Sequence, residues 1–195
     1  MITVENQLFS LHTRHTSYLF RVMETGHLEH LYYGRKIHPA IDGLMEQHAF
    51  APGNTNIYDS EHLQFSLEDA CLEMSSFGKG DIREPFVELT LSDGSETSDF
   101  LFEKFEQGTG KEEFETLPGS YDESGEVEWL GVTLRDKNSG VILELHYYVY
   151  EDCDVITRSA KLINESGDVV KLNRLMSLQL DLEPSDYVFT TFHGA

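Results

Sequence analysis

The sequence predicts an all-β antiparallel sandwich. Apolar residues recur with period two in one segment after another, and turn signals of Gly, Asp and Asn separate those segments at regular spacing. No long stretch sustains the 3.6-residue period of an amphipathic helix.

The opening "MITVENQLFS" alternates and carries Glu5. "SYLFRVMETGHLEHLYYG" reads as a strand pair turning at Glu24-Thr25-Gly26. "FVELTLSDGSETSDFLFEKF" reads as a hairpin: Val87, Leu89 and Leu91 line one side, Asp93-Gly94 turns, and Phe100 with Phe102 return. "EWLGVTLRDKNSGVILEL" gives a third pair, with its turn at Asp136 to Gly140. In "VILELHYYVY" the residues Val141, Leu143, Leu145, Tyr147 and Val149 share one face, the mark of a half-buried strand. "VITRSAKLI" is rich in β-branched residues, and "ESGD" turns into "VKLNRLMSLQLDL". There Val170, Leu172, Met176, Leu178, Leu180 and Leu182 share a face that Arg174 interrupts. "YVFTTFHGA" begins one more strand.

Two segments lack the alternation. Residues 38–62 hold Pro39, Gly43, Pro52, Gly53 and three histidines, and 106–126 is acidic and rich in turn residues. Unstructured stretches this long are uncommon in a compact domain unless they have a function. The acidic one reads as a solvated crossover.

At 195 residues, with 39% hydrophobic and 25% charged, the chain has the composition of one globular domain or a large piece of a bigger protein. Its net charge of 14 − 35 = −21 repels nucleic acid and anionic membrane surfaces. No run of about 18 apolar residues is present to span a membrane, and the start lacks the basic and then apolar pattern of a signal peptide. Two cysteines, Cys71 and Cys153, make no disulfide framework; buried thiols in a reducing, cytoplasmic setting are expected.

No motif gives a metal or catalytic centre. His27 and His30 lie three apart on a predicted strand, so they point to opposite faces and cannot share one ion. Asp152 and Asp154 flank Cys153 where a hairpin leaves the core, without a zinc spacing nearby. Cys71 has no nucleophile signature around it, and "GKGD" lacks the strand-before, helix-after context of a phosphate loop. No cofactor is implied.

Several stretches together resemble the start of the microbial α-galactosidases of glycoside hydrolase family 36. They are "TGHLEHLYYG", "FAPGNT", "FSLEDACLEMSSFGKGDIREPF", "TSDFLFE", "LPGSYDE", "ELHYYVYEDCDVITRSAKLINES", "LNRLMSLQLDL" and "YVFTTFHGA", in order along essentially the whole chain. The resemblance implies that residues 1–195 are part of an N-terminal β-supersandwich like that of galactose mutarotase, cut short at its C-terminal end. A catalytic (β/α)8 barrel and a small C-terminal β domain would follow in the full enzyme. It also implies that the parent cleaves terminal α-galactosides such as melibiose and raffinose, with retention, through two carboxylates. The family's Lys-Trp-Asp nucleophile motif is absent here: the only tryptophan, Trp129, follows Glu128. The chain alone is therefore expected to be inactive.

In tetrameric members a loop of this domain reaches toward a neighbouring subunit's active site. The resemblance places that role on "APGNTNIYD". Asn54 and Asn56 offer amides to sugar hydroxyls, Tyr58 a stacking face and Asp59 an acceptor. Arg83 is a second candidate, suited to fork onto a carboxylate across a subunit boundary. Two other readings compete. One is a stand-alone carbohydrate-binding sandwich with Tyr32, Tyr33, Tyr148 and Tyr150 as a stacking platform; the other is an aldose epimerase, which fold analogy alone does not support.

Overall fold

The computed structural model describes residues 1–38, 43–44, 57–79, 81–113, 119–123, 125–182, 185–192 and 194. Ten strands follow in order: β1 (Ile2–Glu5), β2 (Leu8–His12), β3 (Thr16–Val22), β4 (Leu28–Arg35), β5 (Val87–Thr90), β6 (Phe100–Thr109), β7 (Glu128–Asp136), β8 (Ile142–Tyr150), β9 (Val155–Ile163) and β10 (Lys171–Leu175). One 3₁₀ turn, Leu67–Asp69, is capped by Ser66, whose hydroxyl accepts from the Glu68 amide. No α-helix occurs among the described residues, and none of their helices is long and apolar enough to cross a membrane.

The strands form two four-stranded antiparallel meanders, β1-β2-β3-β4 and β6-β7-β8-β9, and a two-stranded sheet, β10-β5. The inner faces of the meanders supply one core. Phe9, Leu11, Tyr18, Phe20 and Leu28 meet Phe100, Leu130, Val132, Leu134 and the alternating series Val141, Leu143, Leu145, Tyr147 and Val149. Phe20 links the two sheets: it stacks on Phe9 at 4.7 Å and on Tyr147 at 5.1 Å between ring centroids. Each such ring, withdrawn from water, stabilises the fold by about 1.5–3 kcal/mol.

The all-β expectation and two of the three strand pairs hold: β3 pairs with β4 and β7 with β8, turning where the sequence indicates. The third does not. The Asp93-Gly94 turn forms, with Gly94 at φ +82° and the Leu91 amide on the Ser95 carbonyl. The strands around it separate, however: β5 pairs with β10 and β6 with β7. Strand β6 also runs to Thr109, into the segment expected to be loop. Alternation in "VKLNRLMSLQLDL" breaks because a bulge between Leu172 and Arg174 inserts one residue and reverses the facing. Leu175 then packs on the core beside Val170 and Leu180, while Leu172, Met176 and Leu178 are exposed. Residues 185–192 lie in no strand, with Val188, Phe189 and Phe192 about 90% exposed; among the described residues no ladder neighbours them to stabilise one.

A fully buried polar cluster spans the sandwich. Residues 71–73 run beside the edge of β4, with His30 N on the Cys71 carbonyl and Glu73 N on that of Leu28. This carries the Glu73 carboxylate, 0% exposed, into the core. It accepts hydrogen bonds from Tyr18 at 2.7 and 2.8 Å and from Tyr147 at 2.7 Å, and pairs with Arg158 at 2.9 Å. Burial alone pushes this carboxyl up, but the Arg158 charge, with His30 and the Tyr147 hydroxyl, outweighs it and holds Glu73 ionised.

Candidate functional site

The segment that sequence reading singles out comes into view at its C-terminal end. Asn54 and Asn56 lie outside the described residues. Tyr58 and Asp59 are described: Tyr58 turns inward, and Asp59, half-buried, bonds within its own turn.

Three elements converge on Tyr58. Asp99 stands just before β6, His27 just before β4, and Asp136 ends β7. The Asp136 carboxylate accepts from the Ser139 amide within its own turn at 2.8 Å, and from the Asp99 amide at 2.6 Å. It thereby fixes the backbone from which Asp99 projects. The Asp99 carboxylate is 1% exposed. It accepts from the Tyr58 hydroxyl at 2.9 Å and lies 3.0 Å from His27 Nε2, with Lys79 Nζ 3.8 Å away. Thr25 Oγ1 sits 2.9 Å from His27 Nδ1. Asp99 and Thr25 thus give both ring nitrogens of His27 a partner.

The electrostatics agree. Burial raises the Asp99 carboxyl, but the hydrogen bond and charge of His27, with Tyr58 and Lys79, bring it below the ordinary range. Burial, then the adjacent Asp99 charge, pushes the Tyr58 phenol far up, so it remains a donor. The Tyr58 ring meets the His27 ring edge-on at 4.8 Å, and Lys79 Nζ lies 4.8 Å from its centroid. Leu67, Ala70 and Leu72 pack with it in a small apolar cluster. Tyr58 is only 7% exposed. The stacking face expected for a sugar is thus spent on anchoring the chain.

Asp59 acts beside it. Its Oδ1 accepts from the Glu61 and His62 amides, each at 2.9 Å, and lies 2.8 Å from His62 Nδ1. This is an Asx turn that closes the segment. Next to the anchor opens a cavity of about 240 Å³, lined by Arg21, Glu24, Glu29, His62, Phe65 and Asp69 among others.

Arg83, expected to fork across a subunit boundary, forks within the chain. Nε and Nη2 donate to Asp81 at 2.8 and 2.9 Å, Nη1 to the Ala70 carbonyl at 2.8 Å, and Nη2 to that of Leu67 at 2.7 Å. Asp181 pairs with Nη1 as well. These partners occupy the five N–H donors of the guanidinium, and it clamps the 3₁₀ turn below Tyr58.

The other candidates resolve structurally. His27 and His30 serve separate carboxylates, Asp99 and Glu73. Among the described residues no group of three or more His, Cys, Asp or Glu could hold a metal ion. Asp152 pairs with Arg14, and Asp154 accepts from Thr13 Oγ1 and the His15 amide, tying the β8–β9 turn to the β2–β3 turn. Cys153 in that turn is exposed and Cys71 half-buried, against the expectation of two buried thiols. The tyrosines expected to form one platform divide between sheets, Tyr32 and Tyr33 on β4, Tyr148 and Tyr150 on β8.

The description "Glycosyl hydrolase family 36 N-terminal domain" belongs to the family model that matches residues 26–195. The bifunctional α-galactosidase/sucrose kinase AgaSK of Mediterraneibacter gnavus is 30% identical over 195 residues, 96% of this chain and 20% of its own length. The crystal structure of the α-galactosidase from Lactobacillus brevis superposes with a TM-score of 0.86 at 34% identity, over 92% of this chain and 25% of that one. A variant of the α-galactosidase AgaA from Geobacillus stearothermophilus, in complex with raffinose, gives 0.87 at 30% identity, again over 92% and 25%. The chain spans about a fifth to a quarter of the length of these relatives.

Proposed function

The chain belongs to the glycosyl hydrolase family 36 N-terminal domain family, and from that premise we propose that it is the non-catalytic N-terminal supersandwich domain of an α-galactosidase. The parent hydrolyses terminal α-galactosyl residues of melibiose- and raffinose-type sugars with retention. One carboxylate attacks the anomeric carbon while another protonates the leaving oxygen and later activates water. Both would stand in the barrel, beyond this chain.

The observation that carries the reading is the superposition of 92% of the chain on α-galactosidases at about 30% identity, in one case a protein holding raffinose. The domain's share of the work is support of the barrel, assembly of a homotetramer, and presentation of the 50–59 segment toward a neighbouring pocket. The Tyr58–Asp99–His27 network supports this reading by fixing the C-terminal end of that segment. Asp59 and Arg83 extend the anchor on either side, which leaves Asn54 and Asn56 to meet sugar hydroxyls or the neighbouring subunit.

The test compares the full-length parent with this chain on a chromogenic α-galactoside. Turnover by the parent and none by the chain is expected. In the parent, Asn54→Ala should raise KM roughly 10-fold, the loss of about one hydrogen bond. Turnover by the pure chain would place catalytic carboxylates within its own sequence and overturn the reading.

A further inference from the structure

We propose that the outward face of the β6–β9 sheet carries a second site, for a neutral saccharide, built on Trp129. The site shares no residue with the Tyr58 anchor and does not depend on the loop reading above.

Trp129 stands on the outward side of β7, directly across from Gly108 on β6 and Tyr148 on β8. Its indole leans over Gly108. A Cβ there would lie 2.9 Å from Nε1 and 3.0 Å from Cε2, too close for any other residue without movement of the ring. Gly131, next on the same face, would bring a Cβ 3.5 Å from Cζ3. A glycine inside a strand weakens the ladder; at Gly108 it clears the space in which the ring lies. The indole is only half-buried, and it lines a cavity of about 250 Å³, room for a single sugar ring.

Polar side chains from four strands surround it. Lys104 pairs with Glu106 at 2.8 Å, and Lys161 and His146 with Glu144, each at 3.4 Å. Both lysines are already paired and Glu112 adds a third carboxylate to the lining, so an anionic ligand would have to break these pairs against a negative rim. A polyol would not: its hydroxyls can donate to the carboxylates and accept from the lysines in the same arrangement. The apolar C–H face of a pyranose would then rest on the indole, in the way aromatic side chains line small-molecule sites.

Trp129 is the only tryptophan in the chain, so its emission reports on this cavity alone. Titration of the chain with galactose and with raffinose should change that emission saturably, with half-saturation at roughly 1 mM. The indole Nε1–H resonance should shift in parallel in a ¹H–¹⁵N spectrum. Gly131→Val, which fills the cavity with a residue favoured in strands, should abolish both responses while the far-UV circular dichroism stays the same. Glu144→Gln, which preserves shape, should weaken binding about 10-fold. No saturable change in either signal would overturn the proposal. So would an equal response in folded Gly131→Val.

Discussion

Tyr58 and Asp99 are 41 residues apart in sequence and 2.9 Å apart in space. The bond between them joins a segment without regular structure to the first residue before a long strand. Asp99 is itself held through its amide by Asp136, so the anchor reaches from β6 to the end of β7. A tyrosine that the family resemblance marks as a ligand-facing residue is here a post driven into the sheet.

Removing the hydroxyl should loosen that post. Tyr58→Phe keeps the ring and its contact with His27 but takes one donor from a buried carboxylate. A loss of about 1–2 kcal/mol is expected, seen as a lower urea midpoint at unchanged slope. An unchanged midpoint would show that the hydroxyl anchors nothing.

Glu73→Gln should cost more. The substitution leaves Arg158 as a buried cation without its counter-charge, together with two phenols aimed at a weaker acceptor. About 3–5 kcal/mol is expected, by urea unfolding with near-UV circular dichroism to follow core packing.

Acid should loosen the β8–β9 turn. Hydrogen bonds from His15 and Thr13 hold the Asp154 carboxyl down at about 2, against an ordinary 3.8. A depressed carboxyl contributes stability that is present above the unfolded value and is lost as pH falls through the folded one. Melting temperature measured between about pH 4 and 2 should therefore fall more steeply for the wild type than for Asp154→Asn. Asparagine tolerates the left-handed backbone at this position, φ +54°, so the comparison isolates the charge.

Arg83→Lys retains the charge but not the fork. Lysine cannot reach Asp81, Asp181 and two carbonyls together, and roughly 1–3 kcal/mol should be lost. Leu72 donates its amide to Asp181, and that amide should exchange faster with solvent in the variant. Unaltered exchange would mean that Asp181 holds its place without the arginine.

Local pattern made most of the fold legible. The series from Val141 to Val149 was legible because one face of β8 meets the core, although Ile142 and Tyr148 on the other face are buried as well. Turn chemistry located the β3–β4 and β7–β8 hairpins for the same reason, since a tight turn and its flanking strands are neighbours in sequence. The Asp93-Gly94 turn misled because its chemistry is as good as theirs, while the partner of β5 is β10, which no local rule can identify. The bulge at Leu172/Arg174 concealed itself in the same way, by inserting one residue into an apparently regular alternation. At the candidate site, Tyr58 and Asp59 were legible as notable residues, but Tyr58 was not legible as an inward one, because Asp99 is set beside it by tertiary structure alone. Trp129 passed as a missing motif. Its signal was Gly131 two residues on, a gap in side chains on the outward parity of a strand.

The pairing of β10 with β5 bears on how the chain acquires its shape. Asn173 and Thr90 touch across 83 residues, whereas every pairing within the two meanders joins strands that follow one another. On a ribosome the β1–β4 meander can assemble as it emerges, but β5 must wait while the whole β6–β9 meander is synthesised. Closing so long a loop is entropically costly and comes late, and the unpaired edge of β5 is exposed to other nascent chains meanwhile. Yield of native protein should therefore depend on temperature and crowding during synthesis more than its equilibrium stability would suggest. Strand β10 is then the latch that closes over β5.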